Sequence, residues 1–214
     1  MHHIYFLLLM LLAPCNCNNE SKEKSPLINA QMYSNIFVRR RVEHRTLLDH
    51  FQRTEKYDRK FKLLEIGIQQ ILQILRENRE KLLQEGYTTS AGFPKTSNLI
   101  DGVTLVLENT CLIGDLVLHL PDMSEQILTK DTQWKETLNW AIQFTLSVPD
   151  VIDAKTSKML SLFDQEINIE KRTDHYINPY RETKKQPTEP TKRKKERKKL
   201  KKGPQLHSTG RTEL

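Results

Sequence analysis

The sequence predicts an all-α protein: a single helical-bundle domain of about five helices, followed by a disordered basic tail. Three observations predict it. Apolar residues recur at three- and four-residue spacing through the middle of the chain. No stretch alternates with period two for long enough to demand a sheet. Positive charge gathers at one end: from Arg181 to Leu214 there are 13 Lys and Arg against 4 Glu, a charge of +9 where the whole chain carries +7, so residues 1–180 hold −2. That end also contains Pro187, Pro190, Gly203 and Pro204 with few apolar residues. It cannot bury enough surface to offset the entropy of ordering. The division is a signal peptide over 1–17, a helical-bundle domain over 18–180 and the tail over 181–214. The body from Pro26 to Tyr180, about 155 residues, is enough for one core.

Ile4 to Leu12 is an uninterrupted run of nine apolar residues. At ~1.5 Å per residue it is too short to cross a bilayer and suits the core of a leader. Pro14 ends the run, and Cys15-Asn16-Cys17 offers small side chains for a cut after Cys17. Asn19-Glu20-Ser21 is a formal glycosylation acceptor just beyond that cut. Cleavage would leave Cys111 alone, so neither a disulfide scaffold nor a Cys-x-x-Cys oxidoreductase is expected. Cys111 lies in an apolar segment and reads as a small buried hydrophobe.

Ser25-Pro26 suits a helix start. Ile28, Met32, Ile36, Leu47, Leu48 and Phe51 give the first helix its apolar stripe, with Arg39, Arg40 and Arg41 expected on its wet side. The second helix has the strongest pattern: Phe61, Leu64, Ile68, Ile71, Leu75 and Leu82 at heptad spacing, with Asn78 in the seam. Nine of the fifteen residues from Phe61 to Leu75 are apolar. A two-stranded coil would leave much of that wet, which predicts this helix at the centre of a bundle. Gly86 to Thr96, with two glycines and a proline, reads as a loop. Asn98 with Asp101 resembles a helix N-terminus, opening an apolar segment that Pro121 stops. Its 23 residues, Asn98 to Leu120, are too long for a strand. Trp134, Leu138, Ala141, Ile142 and Thr145 mark a fourth helix beginning near Thr132. Ile152, Met159, Leu160, Phe163 and Ile167 mark a fifth, with Asp153 as N-cap.

On a helix, Asp101, Glu108 and Asp115 recur every seven residues, with His119 one turn beyond. Paired carboxylates can perform acid–base work. The bland alternative is that they pair with Arg or Lys of a neighbouring helix, or form a wet stripe. Cys111 shares their line, and no second cluster of catalytic residue types accompanies them. There is no Gly-rich phosphate loop and no His-Glu-x-x-His, and His44, His50, His119, His175 and His207 are dispersed. The expectation is no enzyme, no catalytic residue, no metal and no cofactor.

The final residues, Arg211-Thr212-Glu213-Leu214, read as a variant of the Lys-Asp-Glu-Leu retrieval signal. With the leader they predict a protein of the endoplasmic-reticulum lumen, engaged by a retrieval receptor and, because the signal is degenerate, partly secreted. The Lys192–Lys195 cluster would suggest nuclear import or nucleic acid in a cytosolic protein. Behind a cleaved leader neither is available. Acidic partners or anionic headgroups remain, or a solvated spacer. No transmembrane segment is expected.

Ordered landmarks carry a family resemblance. Glu108-Asn109-Thr110-Cys111-Leu112-Ile113-Gly114-Asp115, Trp134 with Trp140, Leu160-Ser161-Leu162 before Gln165-Glu166, Asn178-Pro179-Tyr180, and a basic tail with Lys202-Gly203-Pro204 closing on Glu213-Leu214 together resemble the coiled-coil domain-containing protein 134 family. The first helix and the Gly86–Asn98 loop match it poorly, and Thr212 stands where the family typically has Ser. The resemblance implies a non-enzymatic lumenal adapter at a specialised translocon. There it would attend the nascent lumenal Hsp90-class chaperone and limit its hyperglycosylation by the oligosaccharyltransferase. It marks Glu108, Asn109, Gly114, Asp115, Trp134, Trp140, Asn178, Pro179 and Tyr180 as possible interaction residues. It also implies links to damping of mitogen-activated-kinase (ERK/JNK) signalling, in which case the chain would act as a secreted cytokine-like protein, and to a nuclear transcription adaptor.

Overall fold

The structure, a computed structural model, describes residues 28–148 and 150–181. Among these residues it contains six α-helices, two short 3₁₀ turns and no strand. The leader, Asn19, the basic tail and the retrieval-like Arg211–Leu214 lie outside the described residues.

Helix α1 (Ala30–Arg53) is capped by Asn29, whose side chain accepts from the Met32 amide at 2.9 Å. Its buried face is Tyr33, Phe37, His44, Leu47, Leu48 and Phe51. That corrects the expected stripe, because Met32 is 43% exposed and Ile36 only half-buried. The aromatic residues one position later have more surface to bury, and they set the helix rotation.

Helix α2 (Tyr57–Gln84) follows its heptad pattern closely: Leu64, Ile68, Ile71, Leu75 and Leu82 are buried, with Asn78 among them. It ends in a Schellman turn. Gly86 takes φ +65°, its amide bonds the Leu83 carbonyl, and the Tyr87 amide bonds that of Leu82. The predicted loop follows, holding a 3₁₀ turn over Thr89–Ala91.

Helix α3 (Ser97–His119) is the true centre, with fifteen of its 23 residues buried. It packs against α1, α2 and every helix after it. The central position expected of α2 belongs to α3, because α3 is buried on nearly all sides. Its N-cap is Thr96 rather than Asn98.

Pro121 does not simply end α3. It opens a sixth helix, α4 (Pro121–Leu128), bent 119° from α3. Proline lacks the amide that would continue α3, yet its fixed φ suits the first helical position. Helix α5 (Trp134–Ser147) begins at Trp134, two residues after the expected start. Helix α6 (Ala154–Ile167) is capped by Asp153 as expected, its carboxylate accepting from the Thr156 amide at 2.7 Å. Among the described residues no single helix is long and apolar enough to cross a membrane.

Candidate functional site

The acidic residues of α3 do not act as a line. Asp101 is exposed near the start of the helix. Glu108 and Asp115, two turns apart, face α1 and meet Arg40 and Arg41. Arg40 Nε lies 2.9 Å from Glu108 Oε2, with the two side chains 13% and 7% exposed. Arg41 grips Asp115 with both terminal nitrogens, at 2.6 and 3.1 Å. Arg40 and Arg41 therefore sit against the core helix, while Arg39 is exposed on the wet side of α1 as expected. Burying two carboxylates on a central helix requires cations opposite them.

Tyr33 completes the Glu108 site, donating its hydroxyl to Oε1 at 2.9 Å. Burial pushes the Glu108 carboxyl above its usual range, partly offset by Arg40 and the Tyr33 hydrogen bond. The Tyr33 phenol is raised well above its ordinary value by burial and then by the Glu108 charge. Arg41 also reaches His44 Nδ1, at 3.1 Å. Burial, then Arg41 and Arg40, hold the His44 imidazole well below its usual pKa, so it is neutral. With Nδ1 accepting from Arg41 the proton sits on Nε2, which is buried without a partner. Cys111 is fully buried, and burial pushes its thiol up to about 12.

The other motif residues hold helices together. Asn109 is buried and donates to the Leu105 carbonyl at 2.9 Å. Gly114 lets α6 come close to α3: a Cβ there would lie 3.0 Å from Met159 Sδ and 3.1 Å from Phe163 Cδ1. His119 donates from Nδ1 to the Asp115 carbonyl at 2.9 Å, and its ring stacks on Tyr180 with centroids 3.8 Å apart. Asn178 is buried and donates to the Leu118 carbonyl at 2.9 Å, satisfying an acceptor in the last turn of α3. Asn178-Pro179-Tyr180, distant in sequence, thus docks on the last turn of α3, just beyond the Glu108–Asp115 motif. The two tryptophans do not join them. Trp134 packs half-buried at the head of α5, while Trp140 meets Phe144 at a tilt of 37° and lies under the Arg79 guanidinium at 5.5 Å.

Between α1, α6 and Pro179-Tyr180 lies an open cleft of about 740 Å³, with the Arg41–Asp115 pair and His119 on its wall. Glu108 and Asp115 are both already neutralised by arginine and so are not a free acid–base pair. Among the described residues no group of His, Cys, Asp and Glu could hold a metal.

The sequence allowed the acids to pair with Arg or Lys of a neighbouring helix, as they do, but it gave Tyr33 and His44 no part in the site and set Arg40 and Arg41 on the wet side. One signal was present: Tyr33, Phe37, Arg40, His44, Leu47 and Phe51 step by four, three, four, three and four. That heptad spacing puts Arg40 on the buried seam.

A family model described as ERK and JNK pathways, inhibitor, matches residues 18–207. The chain is 24% identical over 176 residues to a coiled-coil domain-containing protein 134 of Xenopus tropicalis, covering 82% of this chain and 76% of that one. It is 25% identical over 151 residues to the protein of that name from Mus musculus, covering 71% of this chain and 66% of the relative. No solved structure matches.

Proposed function

Because the chain belongs to the family described as ERK and JNK pathways, inhibitor, we propose that it acts by binding another protein and not by catalysing a reaction. One observation carries this reading. Glu108 and Asp115, the residues best suited to acid–base chemistry, are consumed by Arg40 and Arg41, while the cleft beside Asp115 stays open. In the fuller form of the proposal the protein is an adapter of the endoplasmic-reticulum lumen, partly secreted and returned by a retrieval receptor. It attends the nascent Hsp90-class chaperone at the translocon and limits its glycosylation by the oligosaccharyltransferase. The leader-like run Ile4–Leu12 and the resemblance of the Glu108–Asp115 and Asn178–Tyr180 landmarks support that form.

The test is glycan occupancy on the lumenal Hsp90-class chaperone in cells lacking the protein. Occupancy should rise, and should fall again on re-expression. Unchanged occupancy removes the adapter reading. A second reading, a secreted protein that damps ERK and JNK signalling, is favoured by the family's description as an inhibitor of the ERK and JNK pathways. It predicts that purified protein added to the medium lowers phosphorylated ERK and JNK, with most of the native protein found outside the cell.

A further inference from the structure

The cleft beside the Arg41–Asp115 pair carries features that the fold does not use. Val38 and Val42, one turn apart on α1, line it at 54% and 58% exposure. Neither adds to the core, and a β-branched side chain on an exposed helix position lowers helix stability slightly. Met159, Leu162 and Tyr180 continue the apolar surface across the cleft. Around it stand Arg45, Lys155 and Lys158, all exposed. None of the three has an ion-pair partner among the described residues. Of the carboxylates lining the cleft, Asp115 is held by Arg41 and Asp153 is turned to the Thr156 amide. With Arg41 paired to Asp115, Arg45, Lys155 and Lys158 face two remaining acids, Asp49 and Asp153, the latter acted on by Lys155, so the rim keeps a net positive charge.

We propose that this cleft is a docking surface for an acidic amphipathic segment of another polypeptide. Its apolar side chains lie on Val38, Val42, Met159 and Leu162, and its carboxylates reach Arg45, Lys155 and Lys158. Apolar contact supplies affinity, while the cationic rim selects the partner and speeds encounter. The chain's own residues 182–214, with 12 Lys and Arg against 4 Glu, carry the wrong charge for this role. A concave floor also suits a peptide better than a flat anionic bilayer. The inference deepens the binding reading above and rests on it, since it names the surface and the partner's chemistry.

The probe is a fluorescent helical peptide with leucines along one face and glutamates on its flanks, titrated into the full chain and followed by anisotropy. It should bind, and more weakly as salt rises. Replacing its glutamates with lysine should abolish binding. Lys155→Glu with Lys158→Glu should weaken binding about tenfold, as should Val42→Asp, while Lys62→Glu on the exposed side of α2 leaves it unchanged. All these positions are exposed, so thermal melts should match the parent. If Val42→Asp melts early, the lysine pair alone decides.

Equal binding of the lysine peptide overturns the proposal, as does unchanged binding by the lysine pair. So does finding by sedimentation that these variants break a dimer, or that the cleft prefers anionic vesicles to the peptide. In cells, the lysine pair should reproduce the glycan phenotype of the knockout. Normal occupancy with the pair sinks the cleft while leaving the adapter reading intact. Peptide binding without any knockout phenotype does the reverse.

Discussion

Asp115 is held by both terminal nitrogens of Arg41, and Glu108 by Arg40 and Tyr33. Removing one member of such a half-buried pair leaves a charge without its partner, which costs more than the pair contributes. Asp115→Asn and Glu108→Gln should each lower the free energy of unfolding by about 1–3 kcal/mol, measured by urea denaturation. A double change of Arg41 and Asp115 to a matched apolar pair should recover much of that loss. His44 adds a dependence on pH. Its folded pKa is depressed by burial and then by Arg41 and Arg40, so protonation favours the unfolded chain. Its stabilising effect is complete above the unfolded value of about 6.5 and is lost as pH falls toward the folded value. The urea midpoint should therefore drop between pH 7 and pH 5, and His44→Leu should flatten that slope. Glu108 has the opposite sign, since burial raises its carboxyl, and it blunts the effect at the acid end. Cys111, pushed up to about 12 by burial, should resist a thiol reagent in the native protein. It should react in urea at a rate that tracks global unfolding.

The helices meet at two glycines of α3, and the neighbours give them different tolerances. At Gly114 a Cβ would press on the Phe163 ring at 3.1 Å as well as on Met159. A ring fixed in the core cannot yield as a chain end can. Gly114→Ala should destabilise by about 1–2 kcal/mol, despite a helix propensity that favours alanine by about 1 kcal/mol. At Gly102 the nearest atom is the end of Leu82, 3.3 Å away. Gly102→Ala should be neutral or mildly stabilising, and thermal melts of the two variants should move in opposite directions. The segment after α6 is fastened by the Asn178 bond to the Leu118 carbonyl and by the Tyr180–His119 stack. Asn178→Ala should raise the rate of proteolysis between Arg172 and Arg181 while leaving the melting of the bundle almost unchanged.

In the whole molecule, α3 is the element that every other helix packs upon. Its amides from Val103 to Leu118 should therefore be the slowest to exchange with deuterium, opening only with global unfolding. Those of α4 and of residues 172–181 should open first. Helix existence and order were legible in the chain because apolar spacing at three and four residues needs no tertiary information. Asp153 as N-cap and Asn78 in the α2 seam were legible for the same local reason. The rotation of α1 was not: Met32 and Ile36 look as apolar as Tyr33 and Phe37 until a neighbour determines which pair has a surface to meet. The fate of Pro121 was half legible, since proline ends one helix and begins another with equal ease. The pairing of Arg40 with Glu108 and Arg41 with Asp115, and the arrival of Asn178 beneath Leu118, join residues some sixty to seventy-five positions apart. By itself the sequence determined the class of fold, the run of helices and the charge imbalance, because these are properties of short stretches of chain. The tertiary structure alone decided which helix is central, which acids are neutralised and where a cleft stays open, because each depends on what a side chain faces across the bundle.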